Sequence, residues 1–237
     1  MIEYKNISKL YNDKYIIEDF NLTIAQGEFV TIVGSSGSGK TTILKMVNGL
    51  VKPSMGDIFV GGKSITEHDI IELRRSIGYA IQGSILFPHL TVEQNIAYVP
   101  NLKGEKKIKT SIQKWIRAVG LKEEMLSRYP SELSGGEQQR VGIARAMITN
   151  PPIILMDEPF GAVDEITRSQ LQNLIKGLHV ESGVTILFVT HDISEALYLG
   201  TKILIVNGGR IEQFASPLQI RENPTNEYVR SLIKSSL

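Results

Sequence analysis

The chain has no cysteine, so neither a disulfide framework nor thiolate chemistry is open to it, an absence that suits a reducing compartment. It also has no excess of charge. Lys and Arg number 26 against 25 Asp and Glu, a formal net charge of +1, which argues against a dominant polyanion-binding face. The local basic run KGEKKIKTSIQK, residues 103–114, is expected to be a solvated loop and helix face rather than a nucleic-acid site. No apolar stretch approaches the ~20 residues of a membrane-spanning helix. The N-terminus, MIEYKNISKLY, is too charged to be a signal peptide. What is present is 237 residues, 42% of them apolar, enough for one large soluble domain or a domain with an inserted lobe.

Residues 1–33 read as strands: IEYKNISKLY, YIIEDFNLTI and EFVTIVG alternate or run apolar, separated by Asn-Asp and Gln-Gly turns. A helix is expected over 40–50, a strand pair around GDIFVGGKSI and a strand at 77–81. From about 85 to 150 the period becomes helical, with Ile112, Trp115, Ile116 and Val119 spaced as a core-facing stripe. Strands return at 153–157, 183–191 and 201–214, with a helix over 165–181. Strands alternating with helices imply an α/β fold with a mainly parallel sheet covered on both faces. The expected organisation is a single domain over 1–237. Residues 1–84 and 151–237 form its α/β core, with an antiparallel β subdomain at the N-terminus, and 85–150 form an inserted α-helical subdomain.

VTIVGSSGSGKTTIL is a strand, a glycine-rich loop and a helix start, and it satisfies G-x-x-x-x-G-K-[ST] with Gly34, Gly39, Lys40 and Thr41. Glycines let the backbone wrap a phosphate, Lys40 supplies charge to the β and γ oxygens, and the Thr41 hydroxyl suits Mg²⁺. PIILMDEP then places Asp157 and Glu158 at the end of an apolar strand. Alone, such a pair is equally a helix cap; behind a phosphate loop, Asp157 reads as a metal-holding acid and Glu158 as the base that polarises a water. His191 ends another apolar strand, FVTHD, at the edge where α/β sheets place ligands. It reads as a γ-phosphate contact or as a structural histidine.

LSGGEQQR, 133–140, raises a different question. A Gly-Gly pair behind a serine at a helix start is a second anion cradle, and one chain has little use for two. GSSGSGKT, Gln82, LSGGE, IILMDEP, GAVD and THD occur in the order found in ATP-binding subunits of ABC transporters, and the resemblance runs from Tyr11 to the C-terminal helix. It implies a P-loop NTPase core (RecA-like) and the cofactors ATP and Mg²⁺. It also answers the question. In that family two subunits pair head to tail, so the resemblance implies that Ser134, Gly135 and Gly136 of one would close over the nucleotide held by Gly34, Ser35, Ser36, Gly37, Ser38, Gly39, Lys40, Thr41 and Thr42 of the other. The partner is a second copy or a similar subunit.

The same resemblance gives Tyr11 the adenine stack, edge packing being the alternative. It gives Gln82 a metal contact with Thr41 and Asp157, and sends Asp164 across the dimer. It makes Glu158, His191 and Lys40 the catalytic group. Glu137 stands where Gln is usual in the family, and Val163 where Leu is usual.

The stretches LRRSIGYAIQGSILFPHLTVEQNIAYVP, DEPFGAVDEITR and ENPTNEYVRSLI resemble importers of quaternary amines such as glycine betaine, choline and carnitine. GSILFP after Gln82 departs from that group's frequent pattern. The resemblance implies an ATPase on the cytoplasmic face of the membrane, working with a separate integral-membrane permease and a solute-binding protein. A groove near ILFPHL, with Leu86, Phe87 and Leu90, is the expected permease contact unless those residues only pack. Many members of the group continue into paired regulatory CBS domains, which this sequence does not show. Amino-acid or polyamine import is the nearest alternative cargo. A soluble ABC ATPase acting on DNA or ribosomes lacks support in arms or tandem cassettes, and a GTPase switch lacks an Asn-Lys-x-Asp motif.

Overall fold

The computed structural model describes residues 1–83, 85–105 and 108–234. The chain divides into two compact units, residues 1–74 with 183–237, and residues 75–182.

In the first unit, β1 (Ile2–Tyr11) and β2 (Lys14–Ile24) form a hairpin. Its turn puts Asn12 and Asp13 at φ 49° and 59°, the left-handed conformation that a two-residue hairpin turn requires and that Asn and Asp tolerate. β4 (Met55–Val60) and β5 (Lys63–Ser64) extend this antiparallel sheet in the order β2-β1-β4-β5. The parallel strands are β3 (Phe29–Val33), β8 (Thr185–Val189) and β9 (Lys202–Asn207), with β3 between the other two and β10 (Arg210–Ala215) antiparallel on β9. β3 and β8 are buried at every residue, as strands covered on both faces must be.

Several contacts among the described residues tie the antiparallel sheet to this core, including the Glu18 N–H donating to the Gly209 carbonyl at 3.2 Å. The Tyr4 hydroxyl donates to the Ile43 carbonyl at 3.0 Å, on helix α1 (Lys40–Val47), and burial pushes the Tyr4 hydroxyl well above the usual phenol range. At Gly209, a Cβ would lie 2.3 Å from the Ile16 carbonyl oxygen, so only glycine lets the β9–β10 turn approach β2. α7 (Ile193–Leu199), α8 (Pro217–Glu222) and α9 (Glu227–Lys234) complete the unit.

α2 (Ile70–Ser76) leads into the second unit. There β6 (Ile77–Ala80) and β7 (Ile153–Asp157) pair in parallel, and α3 (Val92–Leu102), α4 (Lys109–Ala118) and α5 (Gly135–Met147) lie between them in sequence. The expected stripe packs as read: Ile112, Trp115, Ile116 and Val119 are at most 5% exposed. Lys106 and Lys107 of the basic run, and Ser84 of GSILFP, lie outside the described residues. α6 (Glu165–Ser182) closes the unit. Among the described residues no helix is long and apolar enough to cross a membrane.

β6 and α5 meet at Gly78, where a Cβ would lie 2.2 Å from the Ala146 carbonyl oxygen and 2.9 Å from the Pro151 ring. Gly78→Ala is therefore expected to destabilise the protein by about 2 kcal/mol or more, read as a lowered midpoint in urea unfolding. An unchanged midpoint would show that the backbone there can yield.

Candidate functional site

The phosphate loop is built by exclusion of side chains. β3 delivers the chain into Gly34, whose added Cβ would lie 1.9 Å from the Val206 carbonyl oxygen. Gly37 and Gly39 have φ 76° and 95°, so the loop turns where L-side chains are strained. α1 follows Gly39 with no side-chain cap, so the positive end of its dipole opens on the loop. Lys40 is 7% exposed, and its Nζ donates to the Gly34 and Ser35 carbonyls, each at 2.8 Å. The Ser38 Oγ is buried without a hydrogen-bond partner among the described residues. An uncapped helix start, a buried ammonium and an orphaned hydroxyl form a donor-rich set that fits an anionic polyphosphate. Ser36 lies in the exposed part of the loop, and Thr41 and Thr42 are half-buried in the first turn of α1.

In the same unit, His191 is exposed just beyond β8. The next residue, Asp192, caps α7 by accepting from Ser194 N–H at 2.7 Å. Tyr11 is 48% exposed at the end of β1, with the Lys9 ammonium 4.8 Å from its ring centroid. One face of that ring already carries a cation.

In the second unit, Asp157 is 1% exposed at the end of β7. Glu158 follows in the left-handed region at φ 45°, a conformation that costs a non-glycine residue and is held only where the surroundings fix it. Gln82 Nε2 donates to Glu158 Oε2 at 3.2 Å, so the glutamine and the acid expected from the sequence do meet. The helix-cap alternative falls elsewhere. Asp164 performs it for α6, accepting from Thr167 N–H at 3.0 Å, and the Thr167 amide and hydroxyl hold the Asp164 carboxyl below its ordinary range.

Ser134 caps α5. Its Oγ accepts from Glu137 N–H at 3.3 Å, and the Ser134 N–H donates to Glu137 Oε2 at 2.7 Å, a reciprocal capping box. These bonds to Ser134 hold the Glu137 carboxyl below its ordinary range. The residue at 137 thus has a structural task of its own. The cap engages the amide of Glu137 rather than those of Gly135 and Gly136, which remain at the helix start. Gly136 is also required sterically, since its Cβ would lie 2.8 Å from the Ala162 carbonyl oxygen.

A family model described as ABC transporter matches residues 17–161. The chain belongs to the ABC transporter family. This cassette is 48% identical over 236 residues to the glycine betaine/carnitine/choline transport ATP-binding protein OpuCA of Bacillus subtilis, a match covering 98% of this chain and 62% of that relative. It is 44% identical over 238 residues to the glycine betaine uptake system ATP-binding protein YehX of Escherichia coli, covering 100% of this chain and 77% of that one. Among solved structures it is similar to a dimeric post-hydrolysis state of the ATP-binding cassette MJ0796 bound to ADP and Pi. That likeness has a TM-score of 0.84 and 35% identity, and covers 92% of this chain and 99% of that one. The cassette spans about three fifths of the length of the B. subtilis relative.

Three residues of the cassette gave no sequence signal. Asn95 is fully buried and organises the 87–91 loop, donating to the Phe87, Leu90 and Thr91 carbonyls and accepting from Phe87 N–H at 2.9 Å. Tyr79, on β6, has a buried hydroxyl without a hydrogen-bond partner among the described residues. Burial first, then the nearby Asp157 charge, pushes that hydroxyl well above the usual phenol range. Gln139, 6% exposed on α5, accepts from Ala162 N–H at 2.8 Å. It fixes the 161–164 loop against the Gly135–Gly136 end of the helix.

Gln139→Leu removes the acceptor of this part-buried bond, for an expected loss of about 0.5–1.5 kcal/mol. Gln139→Glu keeps an acceptor and is expected to retain more of the stability. Equal unfolding midpoints for the two variants would show that the bond contributes nothing.

Proposed function

We propose that the chain is the ATP-hydrolysing subunit of an importer, acting as a head-to-tail dimer on the cytoplasmic side of a membrane permease. The observation that carries this reading is the pair of glycine-started helices, α1 uncapped behind Gly39 and α5 opening on Gly135 and Gly136. One chain then supplies a phosphate loop and a signature, and two chains complete two sites. The dimeric state of the similar MJ0796 cassette supports the pairing.

In this reading Lys40 exchanges the Gly34 and Ser35 carbonyls for the β- and γ-phosphates, and the loop amides with Thr42 hold the remaining oxygens. Tyr11 stacks on the adenine through the ring face that Lys9 does not cover. Thr41, Gln82 and Asp157 are the groups that would hold Mg²⁺. Among the described residues no set of three His, Cys, Asp or Glu side chains could hold a metal by itself, in keeping with an ion that takes much of its coordination from phosphate and water. Held there, the ion would supply positive charge to the transferring phosphoryl group. Glu158 accepts the proton of the attacking water, with Gln82 fixing the direction in which its carboxylate faces. His191 contacts the γ-phosphate, and Asp164 reaches the opposite site.

The permease contact is the 85–91 loop held by Asn95. Leu86 is 7% exposed and packs inward, whereas Ile85 is 65% exposed. Phe87 stacks on Tyr98 at 4.4 Å between ring centroids. Ile85 and Tyr98, not Leu86, are therefore the apolar groups offered to a partner. The cargo proposed is a quaternary ammonium solute delivered by a solute-binding protein, on the strength of the substrates for which these relatives are named. A cage of aromatic rings in that protein would select it.

Glu158→Gln keeps shape and hydrogen bonding but cannot take the proton. ATP should still bind while turnover falls roughly 10²–10⁴-fold, and a nucleotide-bound dimer should accumulate on gel filtration. Turnover at the wild-type rate would remove Glu158 from the mechanism. Gly135→Asp is the cleaner probe of the signature, because a Cβ at Gly135 meets only the Ala162 methyl at 3.7 Å. It should leave nucleotide binding to one subunit intact and abolish the dimer by placing a carboxylate against phosphate. Uptake of labelled glycine betaine, choline and carnitine in cells with and without the chain decides the cargo; dependence only for an amino acid or polyamine overturns it.

A further inference from the structure

The phosphate loop has a second support, in the last helix of the chain. The Ser35 N–H donates to the Tyr228 hydroxyl at 3.0 Å. Ser35 N–H and the Gly34 carbonyl belong to one peptide group, and that carbonyl accepts from Lys40 Nζ at 2.8 Å. No peptide bond here is cis, so the two groups point in opposite directions from a single rigid plane. Tyr228 therefore holds one edge of the plane whose other edge holds the lysine ammonium. Rotating that plane would break both bonds, and hydrogen bonds at the two ends of one peptide polarise each other. The next carbonyl, that of Ser35, accepts from both Lys40 Nζ at 2.8 Å and Ser38 N–H at 3.2 Å, so the constraint passes on into the loop.

The tyrosine is itself anchored. Val229 on α9 is fully buried in a cluster with Val33, Ile203 and Ile205, and Tyr228, Leu232 and Ile233 pack against that cluster. The start of α9 is strapped to β10. Thr225 N–H donates to Gln213 Oε1 at 3.1 Å, Thr225 Oγ1 donates to the Glu212 carbonyl at 3.1 Å, and Asn226 Nδ2 donates to Glu212 Oε2 at 2.6 Å. Asn226 Oδ1 then caps the helix through Val229 N–H at 3.0 Å.

We propose that α9 is a brace on the phosphate loop and that Tyr228 is a positioning residue for nucleotide binding, acting through the Gly34–Ser35 peptide on Lys40. The proposal rests on the nucleotide-binding reading above. It gives the C-terminal segment a direct mechanical link to the nucleotide: whatever displaces α9 also loosens the loop.

Tyr228→Phe keeps the ring and loses only the hydroxyl. The equilibrium Kd for ADP and for a non-hydrolysable ATP analogue should rise about 3- to 10-fold, KM for ATP should rise with it, and kcat at saturation should be unchanged. Amide exchange at Ser35 in the nucleotide-free protein should quicken about 10-fold or more, with thermal stability close to wild type. In a Ser35→Pro background, which has no N–H at that position, Tyr228→Phe should have no further effect on Kd. Wild-type affinity and wild-type Ser35 exchange in Tyr228→Phe would overturn the proposal, as would an undiminished Tyr228→Phe effect in the Ser35→Pro background. Should Ser35→Pro fail to fold, the single variant decides by Kd and exchange alone. A wild-type protein that binds neither ADP nor the analogue would instead sink the nucleotide reading itself, a result distinguishable from a normal wild type with an unaffected variant.

Discussion

A buried ammonium must find oxygen, and that requirement organises the first unit. Lys40 is almost wholly removed from solvent, where an uncompensated charge is untenable. The Gly34 and Ser35 carbonyls receive it, and they can turn inward only because the loop carries glycine at its crowded and left-handed positions. Gly34 can take no Cβ against Val206, and Gly39 opens α1 in a conformation that leaves the helix without a side-chain cap. The same features leave α1 without a side-chain cap and the Ser38 hydroxyl without a partner among the described residues. A phosphate group would answer every one of these donors, which is why the loop reads as a holder rather than a turn.

The second unit follows a related rule with a different emphasis. At α5 the helix start is capped by its own serine and glutamate, so two of its end groups are satisfied within the chain. The glycines serve two purposes at once. Gly136 lets the Ala162 carbonyl approach, and both glycines keep the first amides uncovered by side chains. Gln139 completes the joint from the far side. The 161–164 loop and the α5 start are thereby joined, and Asp164 at the end of that loop caps α6. In the proposed dimer, a surface set in advance would leave less ordering to be done on association.

Much of this was legible from residue order. Buried strands announced themselves as FVTIV and TILFV, the hairpin by its Asn-Asp turn, and the helical stripe by Trp115 and its neighbours. The phosphate loop needed only its own motif and the strand and helix around it. Glu158 was nameable because it follows Asp157 at a strand end and Gln82 through the family resemblance, yet nothing in the order of residues showed that their side chains hydrogen-bond or that Glu158 is held at a positive φ. Leu86 and Ile85 are adjacent apolar residues with the same apparent claim to a partner surface; only the packing of the loop around Asn95 separates the buried one from the exposed one.

The amino-acid sequence by itself determined the α/β architecture and the glycine-rich loop motif, because period, turn chemistry and glycine spacing are local properties of the chain; the family followed from resemblance. Tertiary structure alone decided which groups support them. Tyr228 lies 193 residues from Ser35, Gln139 23 from Ala162, and Gln82 76 from Glu158. Each of those bonds depends on how distant backbone segments are brought to within about 3 Å, and no local pattern encodes that approach.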